Sequence, residues 1–137
     1  MIISRKKAIE DIRAALEEHT RVFIVGCGEC ATLVQTGGEK EVAEMKALLE
    51  EEGKEVVAAE VVPAGCQELD VKRILRKHRD AADAAEAFLV LSCGAGSQAV
   101  RAATEKRVVP GTDTLYLGNI RRSMDFLQKC SLCGECV

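Results

Sequence analysis

Seven cysteines, Cys27, Cys30, Cys66, Cys93, Cys130, Cys133 and Cys136, supply most of the chemistry this chain could do. Structural disulfides are rare in a cytosolic protein, so that many thiols point to metal or redox chemistry. Four convergent thiolates suit either a 4Fe–4S cluster or a tetrahedral Zn²⁺ ion. Cys130-x-x-Cys133-x-x-Cys136 also reproduces the first three ligands of the bacterial ferredoxin run. Its expected fourth ligand would fall beyond Val137. A longer chain, a ligand from a partner, or a tail that holds something else would each account for that.

The elements that must position these thiols follow from hydrophobic spacing. Ile9, Ile12 and Leu16 recur at helical intervals among charges, which predicts an amphipathic helix over 5–19. Short apolar runs at Arg21–Val25, Glu55–Val62, Phe88–Leu91 and Val108–Pro110 predict strands, and Thr114–Leu117 a further extended piece. Glu39–Glu52 predicts a helix with Val42, Met45, Leu48 and Leu49 on its apolar face and Gly53 as its stop. Asp70 is a cap for a helix carrying Val71, Ile74 and Leu75, with the alanine-rich 81–87 stretch extending or following it, and Ser97–Glu105 reads as another helix. Asn119–Lys129 reads as helical before the last cysteines.

Strands alternating with helices imply an α/β fold, a Rossmann-like or flavodoxin-like open parallel sheet of about four strands with helices on both faces. A Cys-rich C-terminal tail would follow. The expected division is an α/β metal-binding core over 1–118 and a helical tail over 119–137. No internal repeat or low-complexity linker interrupts the chain.

In such a sheet all the strand carboxyl ends lie along one edge, where ligands bind. Cys27 and Cys30 follow the first predicted core strand, Cys66 the second and Cys93 the third. Thiols far apart in sequence could therefore meet at that edge, and Gly26, Gly28, Gly65, Gly94 and Gly96 would let the backbone bend around an inorganic core. The plainer alternative is that Cys66 and Cys93 are ordinary buried cysteines and the tail thiols bind nothing.

Other motifs compete. Gly26-Cys-Gly28-Glu-Cys-Ala31 and Gly94-Ala-Gly96-Ser-Gln-Ala99 both match a dinucleotide fingerprint. The acidic residue expected after the second strand is replaced by Val62-Pro63-Ala64, which argues against a nicotinamide cofactor. Cys27 and Cys30 alone resemble a dithiol redox site, but that reading leaves five cysteines unexplained. Lys72, Arg73, Arg76, Lys77 and Arg79 surround His78 and read as a solvated helix face or a docking patch for an acidic partner such as a ferredoxin. His19 and His78 fall on charged helices, and no Ser/His/Asp set or paired carboxylate forms a self-contained catalytic centre.

The 137 residues suggest one domain, and 47% hydrophobic against 30% charged residues is a globular balance. A net charge of −3 and 3% aromatics, with no Trp, argue against nucleic-acid binding. No apolar run approaches the ~18 residues of a membrane span. Met1–Lys7 lacks the apolar stretch of a signal peptide, so a cytoplasmic location is expected.

Val25-Gly-Cys-Gly-Glu-Cys-Ala-Thr-Leu-Val-Gln-Thr-Gly-Gly-Glu-Lys-Glu-Val42 resembles the opening of the methylenetetrahydrofolate reductase C-terminal domain family. Pro63-Ala-Gly-Cys66, Leu91-Ser-Cys-Gly-Ala-Gly96, Thr114-Leu-Tyr-Leu-Gly118 and the final Cys133-Gly-Glu-Cys136 continue the likeness in order. Two departures stand out: Val34 occupies a position where relatives carry another cysteine, and relatives continue beyond the last Cys-Gly-x-Cys.

The resemblance implies a small cysteine-rich accessory subunit of anaerobes that binds iron–sulfur clusters or zinc. It would dock on the flavin-containing methylenetetrahydrofolate reductase and relay electrons to the flavin in one-carbon metabolism, making it an electron-transfer subunit rather than an enzyme by itself. Cys27, Cys30, Cys66 and Cys93 would hold one 4Fe–4S cluster, and Cys130, Cys133 and Cys136 would begin a second. Ferredoxin or another donor subunit would supply the electrons. The alternative is a structural zinc subunit that stabilises the flavoprotein without a redox role.

Overall fold

The computed structural model describes residues 1–136, and Val137 lies outside them. The chain runs β1 (Ile2–Lys6), α1 (Ile9–Ala15), β2 (Arg21–Cys27), α2 (Cys30–Leu33), α3 (Glu39–Glu51), β3 (Glu55–Val62), α4 (Glu68–Lys77) and α5 (Arg79–Ala84). It continues through β4 (Ala87–Leu91), α6 (Gly94–Ala103), β5 (Arg107–Pro110), β6 (Thr112–Ile120) and β7 (Phe126–Cys130).

Four strands form a parallel sheet in the order β3-β2-β4-β5. β2 is its centre, paired with β3 on one edge and β4 on the other, and Val22 through Cys27 are all buried. Alternate residues of a strand point to opposite faces, so this one run feeds two cores. Val22 and Ile24 meet Ile12 and Leu16 of the α1 segment, Val42 and Leu49 of α3, and Leu89 of β4. Phe23 and Val25 meet Val71 of α4, Ala99 and Val100 of α6, and Phe88 and Val90 of β4. Each fully buried side chain of this size contributes about 1.5–3 kcal/mol before chain entropy is set against it. Covering both faces explains why β2 and β4 read as unbroken apolar runs rather than alternating ones.

The three remaining strands form a separate antiparallel sheet in the order β1-β6-β7. Several sequence expectations change here. The helix expected over 5–19 begins only at Ile9, because residues 2–6 extend as β1 against β6. The extended piece expected at Thr114–Leu117 is longer, Thr112–Ile120, and lies in this second sheet. The helix expected over Asn119–Lys129 is instead a hairpin, closed by bonds from Arg121 N–H to Asp125 O (3.0 Å) and Met124 N–H to Arg121 O (2.9 Å). The boundary placed at Gly118 falls inside β6, where a side chain would collide with Phe126 and the Leu127 carbonyl.

Smaller differences have local causes. Gln67, not Asp70, is the N-cap of α4, and the chain breaks at His78 before α5. The final core helix begins at Gly94, earlier than Ser97. Gly53 does end α3, with the positive φ of 84° that a glycine adopts without strain. Among the described residues no helix is long and apolar enough to cross a membrane.

Two predictions follow from this packing. Phe23 and Phe88 stack at 5.2 Å between ring centroids, both almost wholly buried. Phe88→Ala should lower stability by about 3–5 kcal/mol, read from denaturant midpoints. Glu86 Oε2 accepts the backbone N–H groups of Thr20 (2.6 Å) and Arg21 (2.9 Å), which hold its carboxyl below the usual range, Arg21 contributing most. The folded-state value is depressed, so this contribution is present above the unfolded pKa and disappears as pH falls through the folded one. Glu86→Gln should therefore flatten the loss of stability as pH falls below the ordinary glutamate pKa of about 4.3.

Candidate metal centre

The sheet order places the switch point between β2 and β4, since the chain leaves β2 toward β3 on one side and returns to β4 on the other. The loops leaving these strands diverge and open a crevice at their carboxyl ends, the usual ligand position in open α/β sheets. Cys27 is the last residue of β2, Cys30 starts α2, Cys66 follows β3 by four residues, and Cys93 is the N-cap of α6 just after β4.

Backbone contacts hold the Cys27 loop against its neighbours. Cys27 N–H donates to Gly37 O (2.9 Å), Gly28 N–H donates to Val62 O (2.8 Å), and Thr32 Oγ1 donates to Cys27 O (2.7 Å). Cys27 is buried, and its Sγ accepts the N–H of Gly65 at 3.3 Å. Gly65 has no side chain for a steric reason: a Cβ there would lie 3.0 Å from Ser92 Oγ and 3.4 Å from Cys27 Sγ. The 63–66 loop therefore lies directly over Cys27 and the end of β4. Cys30, half-buried, accepts the N–H of Ile2 from β1 at 3.5 Å. On the other side, Gly94 N–H donates to Thr114 Oγ1 of β6 at 2.8 Å.

The proton affinity of Cys66 reveals how close these thiols are. The residue is exposed, yet partial desolvation of its thiol is the main cause pushing its pKa up. Its own backbone N–H opposes that shift, while negative charge on Cys93, Cys27 and Cys30 adds to it. Cys66 thus lies near enough to the other three edge cysteines to feel their charge. Among the described residues no three Cys, His, Asp or Glu side chains are closed into a metal-holding set, and all seven cysteines are free thiols. The donor chemistry fits a thiophilic metal: four free thiols sit on loops at one edge of the parallel sheet, and two of their sulfurs already accept backbone N–H groups.

The three tail cysteines form a second group. Cys130 ends β7 opposite Leu117 of β6, and Leu117 is in turn paired with Ile2, whose N–H reaches Cys30. Two strand spacings, about 10 Å, therefore separate the backbones of Cys130 and Ile2. Cys130 Sγ accepts the N–H of Leu132 at 3.2 Å. The Glu135 N–H, and next the Ser131 side chain, hold the Cys133 thiol below its usual range. Leu132 and Gly134 adopt positive φ values of 59° and 78°, giving the tight turns that aim these N–H groups at sulfur.

Large exposed apolar side chains gather around the cysteines. Leu33 lies one helical turn after Cys30, Leu69 three residues after Cys66, Leu117 opposite Cys130, and Leu132 between Cys130 and Cys133. A cavity of about 500 Å³ opens beside Cys30, lined by Met1, Gly28, Glu29, Thr32 and Leu33. The basic residues of α4 form exposed local pairs, Lys72 with Glu68 (3.2 Å) and Arg73 with Asp70 (3.3 Å).

Comparison of the chain with protein-family models, with curated proteins and with solved structures finds no match in any of the three. Sequence reasoning missed two groups beside these cysteines, the Ile2 N–H that reaches Cys30 and the Ser92 hydroxyl that flanks Gly65. Nothing in the sequence marks Ile2, whose pairing with β6 spans more than a hundred residues; Ser92 is signalled only by its place before Cys93.

Gly37 tests how tightly the crevice is built. A Cβ at Gly37 would run into the Leu91 carbonyl, and its own carbonyl holds the Cys27 N–H. Gly37→Ala should cost about 1–3 kcal/mol, seen as a lower unfolding midpoint, and should speed alkylation of the buried Cys27 thiol.

Proposed function

We propose that this chain is an iron–sulfur electron-transfer subunit whose main centre is held by Cys27, Cys30, Cys66 and Cys93. The observation that carries this reading is the placement of those four thiols on the loops at the carboxyl edge of the parallel sheet, where the other three add to the upward shift of Cys66. Thiolates crowded into one crevice repel each other, and a bound cation removes that repulsion. The order β3-β2-β4-β5 also follows the flavodoxin-like pattern, in which the crevice beside the central strand receives the cofactor.

A 4Fe–4S group supplies one-electron transfer when bound. The chain's own part is to hold its sulfur ligands, donate N–H groups to them from Gly65 and Ile2, and limit water at Cys27. Cys130, Cys133 and Cys136 would begin a second centre, with β1, β6 and β7 as the rigid link between the two groups. Leu33, Leu69, Leu117 and Leu132 supply the apolar area expected of a docking face around an electron port. The resemblance in sequence names the partner as the flavin-containing methylenetetrahydrofolate reductase, with ferredoxin or another donor subunit on the input side. The organic substrate would bind the flavoprotein, not this chain.

The test is metal and acid-labile sulfide content of anaerobically purified protein, with a visible spectrum. About four irons with matching sulfide, and a broad band near ~400 nm that bleaches with dithionite, are expected for the edge site alone; about eight irons would mean the tail is filled too. Cys66→Ala should abolish or convert the edge centre and leave the tail group intact. Unchanged metal content in that variant would refute the four-cysteine site. One zinc per chain without sulfide would replace the relay with a structural zinc subunit.

A further inference from the structure

Ser92 sits between the end of β4 and Cys93, and its side chain is 2% exposed. Its carbonyl is taken by Thr112 Oγ1 at 2.5 Å, but its hydroxyl has no hydrogen-bond partner among the described residues. The space around that hydroxyl is closed by glycines. A Cβ at Gly96 would strike Ser92 Oγ, and one at Gly65 would lie 3.0 Å from it and 3.4 Å from Cys27 Sγ. Ser92 Oγ and Cys27 Sγ therefore flank the same glycine. Ser97, four residues beyond Cys93 on α6, is 8% exposed and also has an unpartnered hydroxyl. Two buried, unpartnered O–H groups thus lie at the start of α6, one adjoining Cys93 in sequence and one whose own N–H donates to the Cys93 carbonyl at 3.1 Å.

A buried hydroxyl without a partner is destabilising, and buried polar groups in folded proteins are nearly always satisfied. A hydroxyl hydrogen rotates to suit its acceptor. A neutral thiol is a weak acceptor, whereas a metal-bound thiolate carries charge and accepts strongly. We propose that Ser92, supported by Ser97, is a positioning residue whose O–H donates to a sulfur of the metal-loaded centre. The hydroxyl is idle in the metal-free chain and is used on loading. This rests on the four-cysteine reading of the site. It adds two residues that hold no metal themselves but withdraw charge from the sulfurs that do, and such outer partners commonly change metal affinity by 10–100-fold.

Co²⁺ is the probe, because its thiolate complexes are coloured. The full chain, reduced and metal-free, is titrated with Co²⁺ against a competing chelator, for the wild type, Ser92→Ala and Ser97→Ala. The wild type should develop sulfur-to-cobalt charge-transfer bands. Ser92→Ala should bind Co²⁺ about 10–100-fold more weakly. Its bands should move to lower energy, because a thiolate relieved of a donor gives up electrons more readily. Ser97→Ala should move both readouts the same way by less, and keeps the test alive if Ser92→Ala fails to fold. Metal-free Ser92→Ala should melt at or above the wild-type temperature, since it loses only an unsatisfied hydroxyl. Unchanged affinity and bands in both variants would overturn the donor role while leaving the four-cysteine site standing. A Ser92→Ala melting point far below wild type without metal, together with unchanged affinity and bands in Ser97→Ala, would assign the hydroxyl a purely structural role and overturn the proposal. A wild type without thiolate bands would remove the site and the donor role together.

Discussion

The parallel pairing of β2 on both of its edges is the constraint on which the rest of the molecule depends. β3 and β4 run beside it in the same direction, so three loops leave the sheet from one end. Parallel strands require crossovers, and those crossovers are the helices that bury Val22 and Ile24 on one face and Phe23 and Val25 on the other. Because the chain goes first to β3 and then back across to β4, the loops separate beside Cys27. The gathering of the four thiol-bearing loops at one edge is a consequence of topology and would hold with other residues on them.

Close backbone approach then determines what the crevice offers a ligand. Gly65 lies against both Cys27 and Ser92, so the 63–66 loop comes near enough for a backbone N–H to reach sulfur. The same closeness strips water from Ser92 and leaves its hydroxyl without a partner. Cys66 differs: the residue is exposed, yet partial desolvation of its thiol, and after it the charges of Cys93, Cys27 and Cys30, raise the cost of ionising it.

The antiparallel sheet gives the molecule a second role for its termini. β1, from the start of the chain, and β7, near its end, both pair with β6. Ile2 contributes an N–H to Cys30, Thr114 of β6 accepts from Gly94 beside Cys93, and Cys130 closes the far edge. The core crevice and the tail cysteines are therefore attached to one hydrogen-bonded frame. Side-chain pairs reinforce it, with Asp113 of β6 held below its usual carboxyl range chiefly by Lys7 and also by Arg5 of β1.

Much of the core was legible because its signals are local. Runs such as Val22–Val25 and Phe88–Leu91 mark strands buried on both faces, the 42–49 spacing marks the apolar side of α3, and the position of each core cysteine after a strand follows from counting residues. The segment 119–129 was misread for the same reason in reverse. Its composition tolerates a helix, and only its pairing with β6 selects an extended hairpin. Ile2–Lys6 behaves likewise, since the partner of β1 lies more than a hundred residues away. By itself, the sequence determined which residues are apolar, where the core strands and helices alternate, and where each thiol falls relative to a strand end, because those depend on short-range periodicity. Tertiary structure alone decided which strand ends lie side by side, which N–H groups face sulfur, and that Ser92 and Cys27 flank the same glycine, because contacts between distant segments depend on sheet order and backbone approach.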